Sequence, residues 1–331
     1  MKGRIWLLSL PVVIMATLSL AVIEAGAQGK LTSLFLRENI FPTLRTMSGQ
    51  LTNAKFKFRG TVEPKNKIVI VEIDGDSLSM YGRWPWHRDT TARLINEVFA
   101  AGAKVVGLDM SFSEEDRRIS PDLKEFLVRN RLETQIDRFE TDLELAKVIK
   151  AHREKLVLGW AGDNLCQPAY SDFSLCATDP ERIPFLPKAF EKFGYTNFIS
   201  DKPFDPQKTP LMSTSEVIAN IPIFNDAAMH AGTFNAYPDP DGYIRRQNVV
   251  MMVNGRPHPS LALEVARVGL GEELEIRMDG EQRLASVRLA KAGREIPVSP
   301  LGAMDINFRG PSYHFQYIRA HQLLNGEEDK I

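Results

Sequence analysis

The stretch Lys67-Ile-Val-Ile-Val-Glu-Ile73, followed by Asp74-Gly-Asp-Ser77, decides how this chain is read. A short run dominated by β-branched residues and closed by Asp-Gly has the composition of a buried strand ending in a turn. Outward from it, Thr90 to Gly102 carries apolar residues at helical spacing and ends on a glycine stop. Lys104-Val-Val-Gly-Leu-Asp109 repeats the strand pattern, a helix is expected from about Glu133 to His152, and Lys155-Leu-Val-Leu-Gly-Trp160 is a third strand. The charged stretch from Glu114 to Arg131 reads as a solvated excursion with some helix. Alternating strands and helices predict a parallel sheet with right-handed connections.

Beyond Trp160 the pattern changes. Residues 161–230 are proline-rich and irregular. Gly232-Thr-Phe-Asn-Ala-Tyr237 and Tyr243 to Val253 flank the turn sequence Pro238-Asp-Pro-Asp-Gly242, which predicts an antiparallel pair. Pro259 to Val268 fits a helix, and residues 274–309 hold strands turning at Asp279-Gly280 and Ala292-Gly293. The fold class is therefore α/β: a mixed, largely parallel central sheet with flanking helices and an antiparallel second half.

The N-terminus sets the compartment. Lys2 and Arg4 precede an uncharged apolar run from Ile5 to Ile23, roughly 28 Å long as a helix and close to the hydrocarbon thickness of a bilayer. It is either a retained membrane helix or a signal peptide cleaved near Ala25-Gly-Ala27; both place residue 30 onward outside the cytoplasm. Residues 1–24 are thus an anchor or signal peptide and 25–60 a juxtamembrane helical linker interrupted at Pro42. Residues 61–331 form the extracytoplasmic domain. In an oxidising space Cys166 and Cys176 are either a local disulfide or two free thiols. With 41 basic and 42 acidic residues the net charge is -1, which argues against nucleic acid as a partner.

The densest cluster of functional residue types is Asp74-Gly-Asp-Ser77 with Gly82-Arg-Trp-Pro-Trp-His-Arg-Asp89. Ligands of open α/β sheets bind at carboxyl ends of strands, so Asp74, Trp84, Arg88 and Asp109 are candidate ligand-binding residues, with Asp241 and Arg245 of the later turn at its border. Carboxylates at strand ends either hold a divalent cation or cap helices, and the second is the commoner use; the metal is left open, and no cofactor is expected. Asp74-x-Asp76 after a strand also fits the nucleophile loop of a Mg-dependent phosphohydrolase. Tyr81, Trp84 and Trp86 read as packing residues. The six histidines are scattered without metal spacing, and most read as ordinary surface or hydrogen-bonded residues.

Taken in order, Ile68 to Ser77, Gly82 to Arg88, Ala101-Gly-Ala-Lys-Val-Val-Gly-Leu-Asp-Met-Ser-Phe112, Gly232 to Asn235, Pro238 to Arg246, Pro259 to Ala262 and Ile306-Asn-Phe-Arg-Gly310 resemble the CHASE type-2 (CHASE2) extracellular sensory domain of bacterial cyclases and histidine kinases. The resemblance covers roughly residues 55–331. It implies a sensor behind a membrane helix in the inner membrane, receiving an unknown ligand and acting on a cytoplasmic output domain or partner protein, with a homodimer among its partners. It also implies a further hydrophobic strand and membrane segments beyond Ile331, so the chain is read as cut short there or as signalling through a partner. A structural envelope protein using the same fold is the remaining alternative.

Overall fold

The computed structural model describes residues 41–116, 120–136, 141–163, 165, 188–195, 198–205, 208–239 and 241–327. The apolar run Ile5 to Ile23 and the pair Cys166 and Cys176 lie outside the described residues. Among the described residues no helix is long and apolar enough to cross a membrane.

The fold is mixed α/β, with parallel and antiparallel ladders and flanking helices. Helix α1 covers Phe41–Arg59. Strand β1 (Val69–Glu72) leads into α2 (Gly75–Tyr81) and α3 (Arg88–Ala100). Strand β2 (Val106–Gly107) is followed by α4 (Pro121–Arg129), α5 (Glu133–Ile136), α6 (Thr141–Ala151) and β3 (Leu156–Asp163). The charged excursion is thus helical at its centre, as its pattern allowed.

β3 lies between β2 and β7 (His230–Thr233), parallel to both. The end of β3 also pairs antiparallel with β6 (Glu216–Ile218). Gly159 of β3 permits the close approach of the neighbouring backbone: a Cβ there would sit 2.3 Å from the Leu108 carbonyl oxygen.

Two topological expectations are corrected. β1 makes its ladder with β15 (Gln316–Arg319), parallel, with Val69 opposite Gln316, and not with β2. The two runs around Pro238–Gly242 do not pair with each other. β7 joins β3, whereas β8 (Arg246–Asn248) pairs antiparallel with β14 (Ala303–Asp305). β9 (Val250–Val253) pairs antiparallel with β10 (Arg256–Pro259) and parallel with β5 (Ser213–Thr214). The tight turn between β9 and β10 is Asn254-Gly255, both at positive φ (45° and 75°), the conformation that Asn-Gly adopts most readily in a two-residue hairpin.

The antiparallel second half is present. β11 (Leu274–Met278), β12 (Leu284–Leu289) and β13 (Arg294–Ile296) form a meander, and β4 (Phe198–Ser200) adds in parallel to β11. The proline-rich region also holds a 3-10 helix (Lys188–Phe193) and α7 (Pro222–Ala227). Helix α8 (Leu261–Leu270) starts where Ser260 accepts from the Leu263 amide and stops at Gly271 in the left-handed region. Helix α9 (Ala320–Leu324) follows β15 directly.

Periodicity explains how three cores fit together. On α3, Ala92 and Ile95 face the core around Trp160 and Leu158, while Leu94 and Val98 face the core of Trp86, Ile318 and Leu323. Residues three and four apart form one helical face, and α3 presents two such faces. On β9, Met251 and Val253 join the first core, and Val250 and Met252 join a third with Ile276, Met278 and Val287. A strand alternates its side chains at period two, so β9 serves the cores on both its sides.

Candidate functional site

The sequence-predicted residues divide among three places. Asp74 caps α2: its Oδ1 accepts from the Ser77 amide at 2.9 Å and the Ser77 hydroxyl at 2.6 Å. Those two bonds are the chief reason its carboxyl is held below the usual range. Across the joint, the buried His321 amide donates to Ser77 Oγ at 3.1 Å. His321 Nδ1 also lies 3.1 Å from that oxygen. The Ser77 proton is spent on Asp74, so a bond here requires His321 to carry its proton on Nδ1. Arg319 places Nε 3.3 Å from Asp74 and donates to Asp76 Oδ2 at 2.7 Å. This joint fastens the start of α2 to the start of α9. Ser77→Ala is expected to destabilise the fold by about 1–3 kcal/mol, since it strands a buried amide; urea melts would read this.

Arg88 lies elsewhere. It is 6% exposed, lies over the Phe112 ring at 4.7 Å, and donates to Glu114 O at 2.8 Å and Asp142 Oδ1 at 3.2 Å. Asp142 accepts from the Asp116 amide, and Asp116 accepts from the Arg88 amide and the Thr141 hydroxyl. The network binds the starts of α3 and α6 to the segment after β2. Trp84 is 39% exposed and meets buried Trp86 edge-on. Asp109 is exposed. Among the described contacts, no hydrogen bond, ion pair or ring contact joins Asp74 to Trp84, Arg88 or Asp109. Among the described residues, no group of three or more His, Cys, Asp or Glu is placed to hold a metal ion.

Asp241 and Arg245 form a clamp on α1. Arg245 is 6% exposed and donates to Asp239 Oδ2 at 3.0 Å and, bidentately, to Asp241 at 2.8 Å for each bond. Its Nε reaches back to Asn53 Oδ1 of α1 at 3.0 Å. Gly49 makes room for it, because a Cβ there would lie 2.9 Å from the guanidinium. Arg246 donates to the other Asp239 oxygen at 2.6 Å. The hydrogen bonds from Arg245 are the largest cause of the low pKa of Asp241. Further along α1, Phe56 meets Phe308 edge-on at 5.7 Å, and Arg59 donates to Asn307 Oδ1 at 2.6 Å. The turn after β7 and the segment after β14 thus hold one face of α1.

A fourth feature escaped the sequence reading. A cleft of about 290 Å³ is lined by Lys192, Phe193, Tyr195, His230, Glu264 and Arg267, among others. Glu264, 4% exposed, receives Arg267 at 2.6 and 2.9 Å and the Tyr195 hydroxyl at 2.8 Å. Burial pushes its carboxyl up, but Arg267 and His230 outweigh this and bring it down to about 2. Burial also raises the Tyr195 phenol, with Glu264 adding to the effect. Arg267 NH2 stands 2.9 Å from His230 Nδ1. The same Nδ1 lies 3.2 Å from Glu264 Oε1, so with its proton on Nδ1 His230 donates to Glu264, and with its proton on Nε2 it accepts from Arg267. The available signal was a Glu–Arg pair three apart on the apolar side of an otherwise amphipathic helix. His258 and His321 are hydrogen-bonded histidines of the interior, 1% and 6% exposed.

Among the described residues, the fold and its joints define an α/β module whose helix α1 and unit β15–α9 are each tied to the body by hydrogen-bonded polar and charged side chains. The chain belongs to the CHASE2 domain family, whose model matches residues 25–331, nearly its whole length. CHASE2 domains are extracellular sensory domains and are not catalytic. No curated protein and no solved structure gave a significant match.

Proposed function

We propose that this chain is the extracytoplasmic sensory part of a membrane-bound bacterial signal-transduction protein, passing an envelope signal to a cyclase or kinase output. Residues 5–23 hold it in the inner membrane, residues 25–60 form the linker, and residues 61–331 are the sensor domain. The observation that carries this reading is the family match over residues 25–331. Two further features support it. The Arg245–Asn53 clamp ties the domain to the helix that leads back to the apolar run, and the Asp74–Ser77–His321 joint ties it to the last helix. A ligand shifts such a module only if it binds two arrangements with different affinity. The cleft at Arg267 offers charged and apolar groups to a small ligand.

The test is an output assay in cells carrying the gene, reading cyclic nucleotide and phosphotransfer for the wild type and Asn53→Ala. That change removes one clamp contact and leaves the ion pairs of Arg245 in place. Altered output at unaltered protein level and melting temperature supports the sensory reading. Unaltered output, with the protein still assembled in the envelope, favours the structural alternative. No contact favours a phosphohydrolase, because Asp74 is committed to Ser77 and Asp76 to Arg319.

A further inference from the structure

Helix α1 has two unlike faces. Gly49, Asn53 and Phe56 face the body of the domain, as the Arg245 and Phe308 contacts require. Met47, Leu51 and Phe58 are instead 56%, 65% and 97% exposed, and Ala54 is exposed between them. At 100° per residue these four lie within about 60° of one another, on the side of the helix roughly opposite the docked face. An isolated exposed apolar residue needs no explanation, but an aligned stripe on one helix face does.

The spacing of the stripe says what covers it. Positions 47, 51, 54 and 58 alternate steps of four and three, and in sequence the alternation continues upstream through Leu44 and Ile40. This is the a/d repeat that lets two like helices pack knobs into holes. In that register Gly49 and Phe56 fall at f and Asn53 at c, so the body occupies the positions a two-stranded coil leaves outside. In a parallel pair the flanking Gln50 of one copy faces Lys55 of the other, so no two lysines oppose each other there. The chain before α1 leads to the apolar run Ile5 to Ile23. Two copies held by that run in one membrane enter the contact in the same direction and at raised effective concentration.

We infer that α1 pairs with α1 of a second copy of this chain, in parallel and in register, through Met47, Leu51, Ala54 and Phe58. The parallel direction rests on the membrane placement proposed above; the pairing itself rests on the stripe. The contact puts the clamp of each copy on the outer side of a two-helix stalk.

The test uses the full chain in bacterial membranes with single cysteines introduced by Leu51→Cys, Phe58→Cys and, as a remote exposed control, Leu270→Cys. The unsubstituted chain, with its own Cys166 and Cys176, sets the background. Mild oxidation is expected to give covalent homodimers above background for the first two and not for the third. Absence of cross-linking at both 51 and 58, equal cross-linking at 270, or products containing another protein would overturn the inference. In a second arm, Leu51→Glu combined with Phe58→Glu is expected to raise the dimer dissociation constant of the detergent-solubilised chain at least 100-fold without moving its melting temperature. Association unchanged by that pair of substitutions would also overturn it. Neither arm reads signalling output, so a chain that pairs without signalling removes the sensory proposal and leaves this one standing.

Discussion

Arg245→Ala is expected to cost about 1.5–3 kcal/mol of stability, because it takes one of its two arginine partners from a buried carboxylate. Asp239 is 5% exposed as a residue and receives both Arg245 and Arg246. The same change removes the bond to Asn53 and opens the space that Gly49 leaves for the guanidinium. Two readouts therefore belong together. Urea melts give the global loss, and hydrogen exchange along α1 gives the release of that helix. Arg245→Lys keeps a charge but cannot reproduce the bidentate pair with Asp241 or the bond to Asn53 together. It should recover only part of the stability and leave α1 exchange fast. A variant with wild-type melting and slow α1 exchange would show that the clamp does not hold the helix.

Acid is expected to weaken the fold in two stages. Burial pushes His258 down to about 4 from an ordinary 6.5. The unfolded chain then binds the proton more readily, so the stability present above pH 6.5 is lost as pH falls toward 4. At 1.36 kcal/mol per pKa unit this amounts to about 3 kcal/mol. Glu264 is brought from 4.5 down to about 2. Its contribution is present above pH 4.5 and is lost as pH falls through 2, again about 3 kcal/mol. Urea melts at pH 7, 5 and 3.5 should show a continuous decline. In His258→Leu the first stage should disappear, since no proton-binding site remains there. Equal stability of the wild type at pH 7 and 4 would contradict the assignment for His258.

The fold was legible where one physical signal dominated. The β-branched runs at 67–73, 104–109 and 155–160 correspond to β1, β2 and β3, and the glycine stop at Gly102 lies just past the end of α3. The Asp279 and Ala292 turns join the meander strands as expected. Strand partners were not legible. Hydrophobic patterning marks a residue as buried but carries no label for the strand beside it, so β1 to β15 and β8 to β14 had to be found in space. The Asp-Pro-Asp-Gly turn illustrates the limit. Its composition marks a chain reversal, yet the two arms go to different sheets, β7 beside β3 and β8 beside β14.

The candidate site followed the same division. Asp74 could be recognised from sequence as a cap or a ligand, and Asp241 and Arg245 as a charged turn. Their partners are far away in the chain: His321 lies beside Ser77, and Asn53 beside Arg245. By itself the sequence determined the strands and helices with a strong local pattern, the apolar run at the N-terminus and the family, because these depend on residue order and local periodicity; the short elements between 188 and 227 and the unit β15–α9 lack such a pattern. Only the tertiary structure decided which charges are buried and what satisfies them. Burial of Arg245, Glu264 and His258 is a property of the packed chain, and an ion pair between distant residues exists only after the backbone has brought both to one place.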